Sequence, residues 1–144
     1  MIIHGLEFPD DLHYLVEHDV WARLDADGLA TVGITALGIK LSGEIYMCRA
    51  KPVGTTVEQG RAIGVVELAK AIVSVKCAVG GTVVAVNPRL EAAPELVHLD
   101  PYGEGWIARL SLRGFVADQA RLVHGEPLRA AMQGHAWPGE DEPA

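Results

Sequence analysis

The sequence predicts a mostly β protein in which two strand-rich halves close into a flattened barrel or sandwich. Two apolar, β-branched runs, residues 62–67 and 72–75, flank a short segment around Lys70, as paired strands flank a hairpin tip. The glycine-led tetrapeptide at residues 43–46 resembles the one at residues 81–84, and a polar, proline-containing turn follows each. Because two repeats are too few for a solenoid, we expect two halves with the lysine hairpin projecting between them.

The first half of the chain is predicted to consist of short strands, turns and one helix. An Asp-Gly pair at residues 27–28 is a strong hairpin signal, and Thr35 can cap a short helix that a Ser-Gly pair ends. In chain order we expect a turn at 9–11, a strand at 20–24, a hairpin turn at 25–28, a strand at 29–33, a helix from Thr35 to Leu41 and a strand at 45–49.

The second half is predicted to continue with the lysine hairpin and to end in helical segments. Alternating apolar positions such as Ile107 and Leu110 indicate the last strand. In chain order we expect a turn-rich connection at 53–60, the rising arm of the hairpin at 62–67, a short helix at 90–97, a strand at 106–112 and helical segments at 116–123 and 127–132.

Length and composition predict one domain at residues 1–137, followed by a disordered acidic tail at residues 138–144. The chain has 144 residues, of which 49% are hydrophobic, which is enough to bury a core. No run reaches the ~18 apolar residues of a membrane span, and we expect no secretory signal. Two cysteines are too few for a disulfide framework. We therefore expect a cytoplasmic protein without a membrane partner.

The charge balance argues against a nucleic-acid partner. Twelve Lys and Arg residues against nineteen Asp and Glu residues give a formal net charge of −7. No basic stripe or arginine-rich face is present, whereas nucleic-acid binding needs one. An acidic surface suits a carrier that visits basic docking faces on several enzymes. The alternative is that moderate acidity only keeps a small protein in solution.

Motifs for catalysis or metal binding are almost absent, so we expect a protein that is not an enzyme on its own. The six histidines are never spaced i,i+4, no Cys-x-x-Cys is present, and neither a Gly-x-Ser-x-Gly elbow nor a phosphate loop occurs. Lys70 as a Schiff-base nucleophile would need burial to lower its pKa, and a hairpin tip offers none. An ordinary exposed turn lysine is the simplest alternative for Lys70.

Eight short strings stand in the order and spacing of a known family. They are residues 9–14 (PDDLHY), 17–21 (EHDVW), 31–35 (TVGIT), 43–46 (GEIY), 52–54 (PVG), 67–70 (ELAK), 83–87 (VVAVN) and 100–106 (DPYGEGW). Through them the chain, from about Phe8 to Leu110, resembles the glycine-cleavage H proteins, a family of lipoyl carriers.

The resemblance implies a fold, a cofactor and partners. The fold is a lipoyl-type barrel-sandwich hybrid (hammerhead) of two small antiparallel sheets with short flanking helices, one of them C-terminal. Lys70 matches the lysine that receives lipoate in amide linkage, and Glu67 matches a residue that helps a lipoate ligase or lipoyl transferase recognise the hairpin. A solvated strand-end charge is the alternative for Glu67. The arm would shuttle a group or electrons between partner enzymes, with dihydrolipoamide dehydrogenase among them.

Three departures from the family pattern concern the cargo of the arm. The family has Asp-His after its Gly-Ile-Thr string and Ser after the hairpin Glu, whereas this chain has Ala36, Leu37 and Leu68. If these residues line the resting cleft of the arm, a cationic aminomethyl group there is desolvated at a cost of several kcal/mol. Lipoate-binding proteins of a heterodisulfide-reductase-like complex in bacterial sulfur oxidation are similar too. We therefore favour sulfur transfer with such a complex; the alternatives are the H-protein role with glycine-cleavage enzymes, or an unmodified binding module.

Cys48 and Cys77 are additions to the family pattern and lie on predicted strands that flank the hairpin. Free cysteines are commonly buried as small apolar residues. The other interpretation is a redox-linked thiol pair near the arm, which requires Cα atoms about 4.4–6.8 Å apart.

Overall fold

The computed structural model describes residues 1–143 and is mostly antiparallel β-structure, as the sequence predicts. Within this part the strands are β1 (Ile2–Ile3), β2 (Leu6–Glu7), β3 (His13–Leu15), β4 (Val20–Leu24), β5 (Leu29–Ile34), β6 (Met47–Ala50), β7 (Thr56–Val57), β8 (Ala62–Glu67), β9 (Ile72–Lys76), β10 (Gly81–Val86), β11 (Ala108–Leu112) and β12 (Val123–His124). The helices are α1 (Ala36–Ser42), α2 (Leu96–Leu99), α3 (Phe115–Asp118) and α4 (Pro127–Ala136), with 3₁₀ turns at Val16–His18, Ala26–Gly28 and Gln119–Arg121. Each helix in residues 1–143 is too short or too polar to cross a bilayer.

The strands form two main sheets and a short ribbon. One sheet has the order β12-β3-β4-β5-β11-β10-β7, and the other has the order β6-β8-β9, while β1 pairs with β2. All these pairings are antiparallel. The mostly β class with short helices and a C-terminal helix is thus confirmed, although one sheet is larger than the resemblance implies. The three-stranded sheet carries the lysine hairpin, with β9 as an edge strand.

The main hydrophobic core joins the two sheets, because apolar positions of both pack into one cluster. Val32 and Leu110 come from the large sheet, and Ile63, Val66 and Val75 come from the small one. These side chains are 0–7% exposed. The core therefore fixes the hairpin of β8 and β9 against the rest of the protein.

A second cluster surrounds Trp21 and holds the C-terminal helix in place. Trp21 is fully buried, and Leu128 and Met132 of α4 pack in the same cluster. The indole Nε1 donates to the carbonyl oxygens of Ile34 at 3.1 Å and Pro101 at 3.2 Å. Burial of the α4 apolar face thus places the polar side of this helix beside the turn that precedes β4.

Local signals predict several elements correctly. Strands β4 and β5 pair through the turn at residues 25–28, where the Asp25 N–H donates to the Leu29 carbonyl at 2.8 Å. Thr35 caps α1, since its hydroxyl accepts from the Gly38 N–H at 3.1 Å, and Gly43 ends the helix at φ 70°. The rising arm at 62–67 coincides with β8.

Other elements differ from the sequence prediction. The helix expected at 90–97 is a series of turns until α2, because Pro94 lacks the N–H that would continue a helix and proline disfavours helical geometry at the residue before it. The connection at 53–60 contains β7, and β12 follows the strand that was expected to be last. Both are two-residue edge strands, which tertiary pairing creates and which carry little local signal.

The internal repeat is not a structural repeat. Residues 81–84 lie in β10, but residues 43–46 cross from the end of α1 to β6 without forming a strand. Gly43 serves as a helix stop, not as the start of a strand. The two halves are therefore not equivalent at these positions.

The predicted tail begins after α4 and makes contacts as far as residue 142. Glu142 forms an ion pair with Arg129 at 2.6 Å and accepts from the His4 N–H at 3.3 Å. The side chain of Gln133 donates to the Glu140 carbonyl at 2.5 Å. Residue 144 lies outside the described residues, and the disorder of the tail and the division at residue 137 stay predictions.

Candidate functional site

Lys70 lies at the tip of the hairpin formed by β8 and β9. The ladder runs to Glu67 opposite Ile72, and the Leu68 N–H then donates to the Ala71 carbonyl at 2.8 Å. Ala69 and Lys70 are exposed between these two residues. The local sequence favours this turn because the β-branched residues on both sides of it pair as strands. The four residues between Glu67 and Ile72 are then only enough to reverse the chain. Lys70 is accessible to a modifying enzyme.

The tip end of β8 is held from the side by the segment before β6. The Tyr46 N–H donates to the Glu67 carbonyl at 2.8 Å, and Met47 continues the ladder opposite Glu67. The next N–H back, that of Ile45, donates to Nε2 of His98 on α2 at 3.0 Å. The carboxylate of Glu67 is left exposed. The hairpin is thus anchored up to Glu67, and only the short turn that carries Lys70 extends beyond it.

A surface groove with a volume of about 390 Å³ runs beside the hairpin. We call it the hairpin groove. One wall is the hairpin and the other is formed by α1 with the segment before β4; the lining residues are Glu17, His18, Asp19, Val20, Ile34, Gly38, Leu41, Ser42, Val66, Leu68, Val73, Ser74, Val75 and Lys76. Its hairpin wall is mainly apolar, while its opposite wall carries two carboxylates. A long aliphatic chain with a cationic end is the chemistry that fits such a groove.

The two carboxylates of the groove have different partners. Glu17 forms an ion pair with Arg121, and this hydrogen bond lowers the pKa of the carboxyl below its ordinary value. Oδ1 of Asp19 lies 2.9 Å from Nε2 of His135 on α4. Lys76 adds a cation, whose amine donates to the Ser74 hydroxyl at 2.9 Å. Each of these three charged side chains is therefore engaged, and the partner of Asp19 is a histidine.

The premise of an apolar cleft is wrong at two of its three residues. Leu68 lines the hairpin groove, but Leu37 is 3% exposed and packs in the core cluster around Trp21. Ala36 does not line the groove, and its N–H donates to the Tyr102 hydroxyl at 2.9 Å. Because Leu37 points into the core and Ala36 starts the helix beside Tyr102, neither sets the polarity of the groove.

The predicted thiol pair is excluded by the register of the small sheet. Cys48 lies opposite Val66 on β8, whereas the Cys77 N–H donates to the Arg61 carbonyl at 2.7 Å. Residues 61 and 66 are five residues apart, which is about 16 Å at about 3.3 Å per residue, and β6 and β9 lie on opposite sides of β8. Both cysteines are free and buried, which matches the alternative of small apolar core residues.

His135 was not recognised from the sequence as a site residue, and Glu17 and Asp19 entered only as part of the family string. The backbone gives one signal, since Asp19 adopts the left-handed conformation at φ 56°, which Asp and Asn tolerate better than most residues. His135 lies 116 residues further on and carries no local signal. Within residues 1–143 no group of three or more His, Cys, Asp or Glu side chains is arranged to hold a metal ion.

Comparisons with known proteins agree on one family. Residues 12–135 match the family described as "Glycine cleavage H-protein". The chain is 36% identical over 134 residues to glycine cleavage system H protein 3 of Aquifex aeolicus, covering 91% of this chain and 83% of that protein. It is 44% identical over 102 residues to the H protein of Chromobacterium violaceum, covering 71% and 79%. The crystal structure of a glycine cleavage system H protein from Mycobacterium marinum is similar, with a TM-score of 0.72 and 26% identity over 88% of this chain and 99% of that one.

Proposed function

Because this chain belongs to the glycine cleavage H-protein family, whose members are non-catalytic carriers with lipoate attached covalently to a lysine, we propose that Lys70 carries the lipoate. We further propose that the arm carries an aminomethyl group between the glycine-cleavage enzymes. The observation that carries the proposal is an exposed lysine at a hairpin tip beside a groove with two carboxylates.

The residues around Lys70 fit a lipoyl group. The aliphatic part of the arm can pack on the apolar hairpin wall of Leu68, Val66 and Val73, which removes its surface from water. When bound, lipoate supplies a strained dithiolane whose sulfur atoms accept a group or electrons and release them as thiols. The protein holds the arm, keeps it near the surface and raises its local concentration at each partner.

The carboxylates of the groove support an aminomethyl cargo over a sulfur cargo. A protonated amine needs acceptors once it leaves water, and Asp19 and Glu17 offer carboxylate oxygens on the wall that faces the hairpin. The preference for sulfur transfer depended on an apolar cleft, and that premise has failed. The matched family and its relatives, described as glycine cleavage H proteins, also favour the aminomethyl alternative.

The proposed partners follow from the chemistry of the arm. A lipoate ligase or lipoyl transferase attaches it, and the exposed Glu67 carboxylate near the tip is our candidate for recognition by that enzyme. Glycine-cleavage enzymes load and unload the arm, and dihydrolipoamide dehydrogenase reoxidises the dithiol.

The attachment site is tested by intact mass after incubation with lipoate, ATP and a lipoate ligase. We expect the wild-type chain to gain one lipoyl unit and Lys70→Arg to gain none. Lys76→Arg and Lys51→Arg are matched controls and should still be modified, because neither lysine lies at the hairpin tip. Glu67→Gln should slow the modification, whereas Glu91→Gln, at another exposed site, should not.

The cargo is tested in a reconstituted glycine-cleavage assay with the lipoylated chain. We expect the α-carbon of glycine to be loaded on the arm as an aminomethyl group, in an amount equal to the lipoylated fraction. A chain that is fully lipoylated but accepts only sulfane sulfur would contradict the aminomethyl proposal while leaving the attachment at Lys70 intact.

A further inference from the structure

The C-terminal helix α4 reaches the hairpin groove through one side chain, His135. Its Nε2 lies 2.9 Å from Oδ1 of Asp19, and the two side chains are 26% and 19% exposed. Asp19 lines the groove and also, together with His135, a second depression of about 300 Å³. Asp19 therefore lines both depressions and is hydrogen-bonded to His135.

Backbone hydrogen bonds fix the main chain at Asp19, and the bond to His135 orients its side chain. Its carbonyl accepts from the Thr35 N–H at 2.9 Å and its own N–H donates to the Val16 carbonyl at 3.2 Å. Within residues 1–143, His135 is the one hydrogen-bond partner of the Asp19 side chain. Within the same residues no hydrogen bond engages the second carboxylate oxygen, so it can accept one from a group that reaches it.

The net charge of this pair depends on whether His135 carries a proton. Glu17 is paired with Arg121, and Lys76 lies on the hairpin wall. The other titratable groups near His135 are His18, which precedes Asp19 in the groove, and Lys40 of α1, which lines the second depression. The pair of Asp19 and His135 carries a charge of −1 when the histidine is neutral and no net charge when it is protonated.

We propose that His135 is a positioning residue that orients Asp19 toward a cationic cargo and weakens this interaction when it takes up a proton. The inference rests on the proposed function, because it assumes that the aminomethyl end of the arm docks in the hairpin groove. A cation at Asp19 and a proton on His135 use the same negative charge, so each lowers the affinity for the other. Acidification then releases the loaded arm from the groove.

The test uses stable analogues of the loaded arm on the full, lipoylated chain. The dithiolane is reduced and both resulting thiols are alkylated, either with 2-bromoethylamine, which adds two cationic aminoethyl groups, or with 2-bromoethanol, which adds two neutral groups of similar size. Intact mass checks that the buried Cys48 and Cys77 stay unmodified. Docking is followed from the amide NMR signals of Leu68 and Val73 between about pH 8 and about pH 5, the range in which histidines titrate.

We expect the docking equilibrium constant of the cationic arm to fall roughly two- to fivefold on acidification, the size of a partly exposed ion pair. His135→Gln retains a side-chain donor without titration and should dock with little pH dependence. His135→Lys places a permanent cation there and should dock weakly throughout. The neutral arm should show no such pH dependence.

An unchanged fall in His135→Gln, or an equal fall with the neutral arm, would overturn the role of His135 while leaving docking in the groove intact. Failure of both arms to dock at any pH would overturn the groove as a resting place, and this inference with it. Failure of lipoylation at Lys70 would be seen earlier, by mass, and would contradict the proposed function separately.

Discussion

Replacing Gly33 by alanine places a methyl group where the structure has no room for one. A Cβ built at Gly33 would lie 2.6 Å from Cζ2, 2.7 Å from Cε2 and 2.8 Å from Nε1 of Trp21. The indole is fully buried and is held by hydrogen bonds to Ile34 and Pro101. It cannot withdraw without breaking those bonds and disturbing the packing of α4. Trp21 also lies two residues from Asp19, so the disturbance reaches the wall of the groove.

The size of the effect follows from three terms. Overpacking of a core costs about 1–3 kcal/mol, and displacing the indole leaves a buried donor unsatisfied at about 1–3 kcal/mol. Alanine has less conformational freedom than glycine in the unfolded chain, which by itself stabilises the folded protein by about 0.4–1 kcal/mol. Together these ranges give a loss in the free energy of unfolding of about 1–5 kcal/mol for Gly33→Ala. At roughly 3–5 °C per kcal/mol for a domain of this size, the melting temperature should fall by about 3–25 °C.

Gly134→Ala is the matched control, because a Cβ there meets nothing within 4 Å and the residue lies inside α4. Alanine favours a helix interior over glycine by about 0.5–1 kcal/mol, so this variant should be slightly more stable than wild type. Urea unfolding followed by far-UV circular dichroism measures both free energies. A loss below about 0.5 kcal/mol in Gly33→Ala, or equal losses in both variants, would refute the reasoning from close packing.

Two further predictions concern titratable side chains. Burial, and the proximity of His124 stacked at 4.2 Å, lower the pKa of His13 below its ordinary value of 6.5. The unfolded chain therefore binds more protons than the folded chain at acidic pH. The free energy of unfolding should decrease as the pH falls below about 6.5. His13→Gln should flatten this dependence in urea titrations at several pH values, and an unchanged slope would assign it to another group. Burial raises the pKa of Cys48 to about 11 and that of Cys77 to about 12, so iodoacetamide at neutral pH should alkylate neither in the folded protein and both in denaturant. Rapid labelling of the folded chain, seen by mass, would show that the thiols are accessible.

The parts of the fold that sequence predicted well are those fixed by neighbours in the chain. The Asp-Gly turn, the Thr35 cap and the β-branched arms of the lysine hairpin each depend on interactions across a few residues. Lys70 at the tip followed from the same local pattern. Short edge strands such as β7 and β12 were missed because only their distant partners make them strands.

The sequence alone therefore determined that a lysine stands at the tip of a β-hairpin in a mostly β domain, since backbone propensity and turn chemistry are local. Only the tertiary structure decided the polarity of the hairpin groove. Leu37 packs in the core cluster around Trp21 and not in the groove. Asp19 lies opposite the hairpin and is hydrogen-bonded to His135 of the C-terminal helix. It likewise separated Cys48 from Cys77 by the register of three strands. Packing of apolar faces and strand register decide which distant residues meet, and local sequence patterns specify neither the packing nor the register.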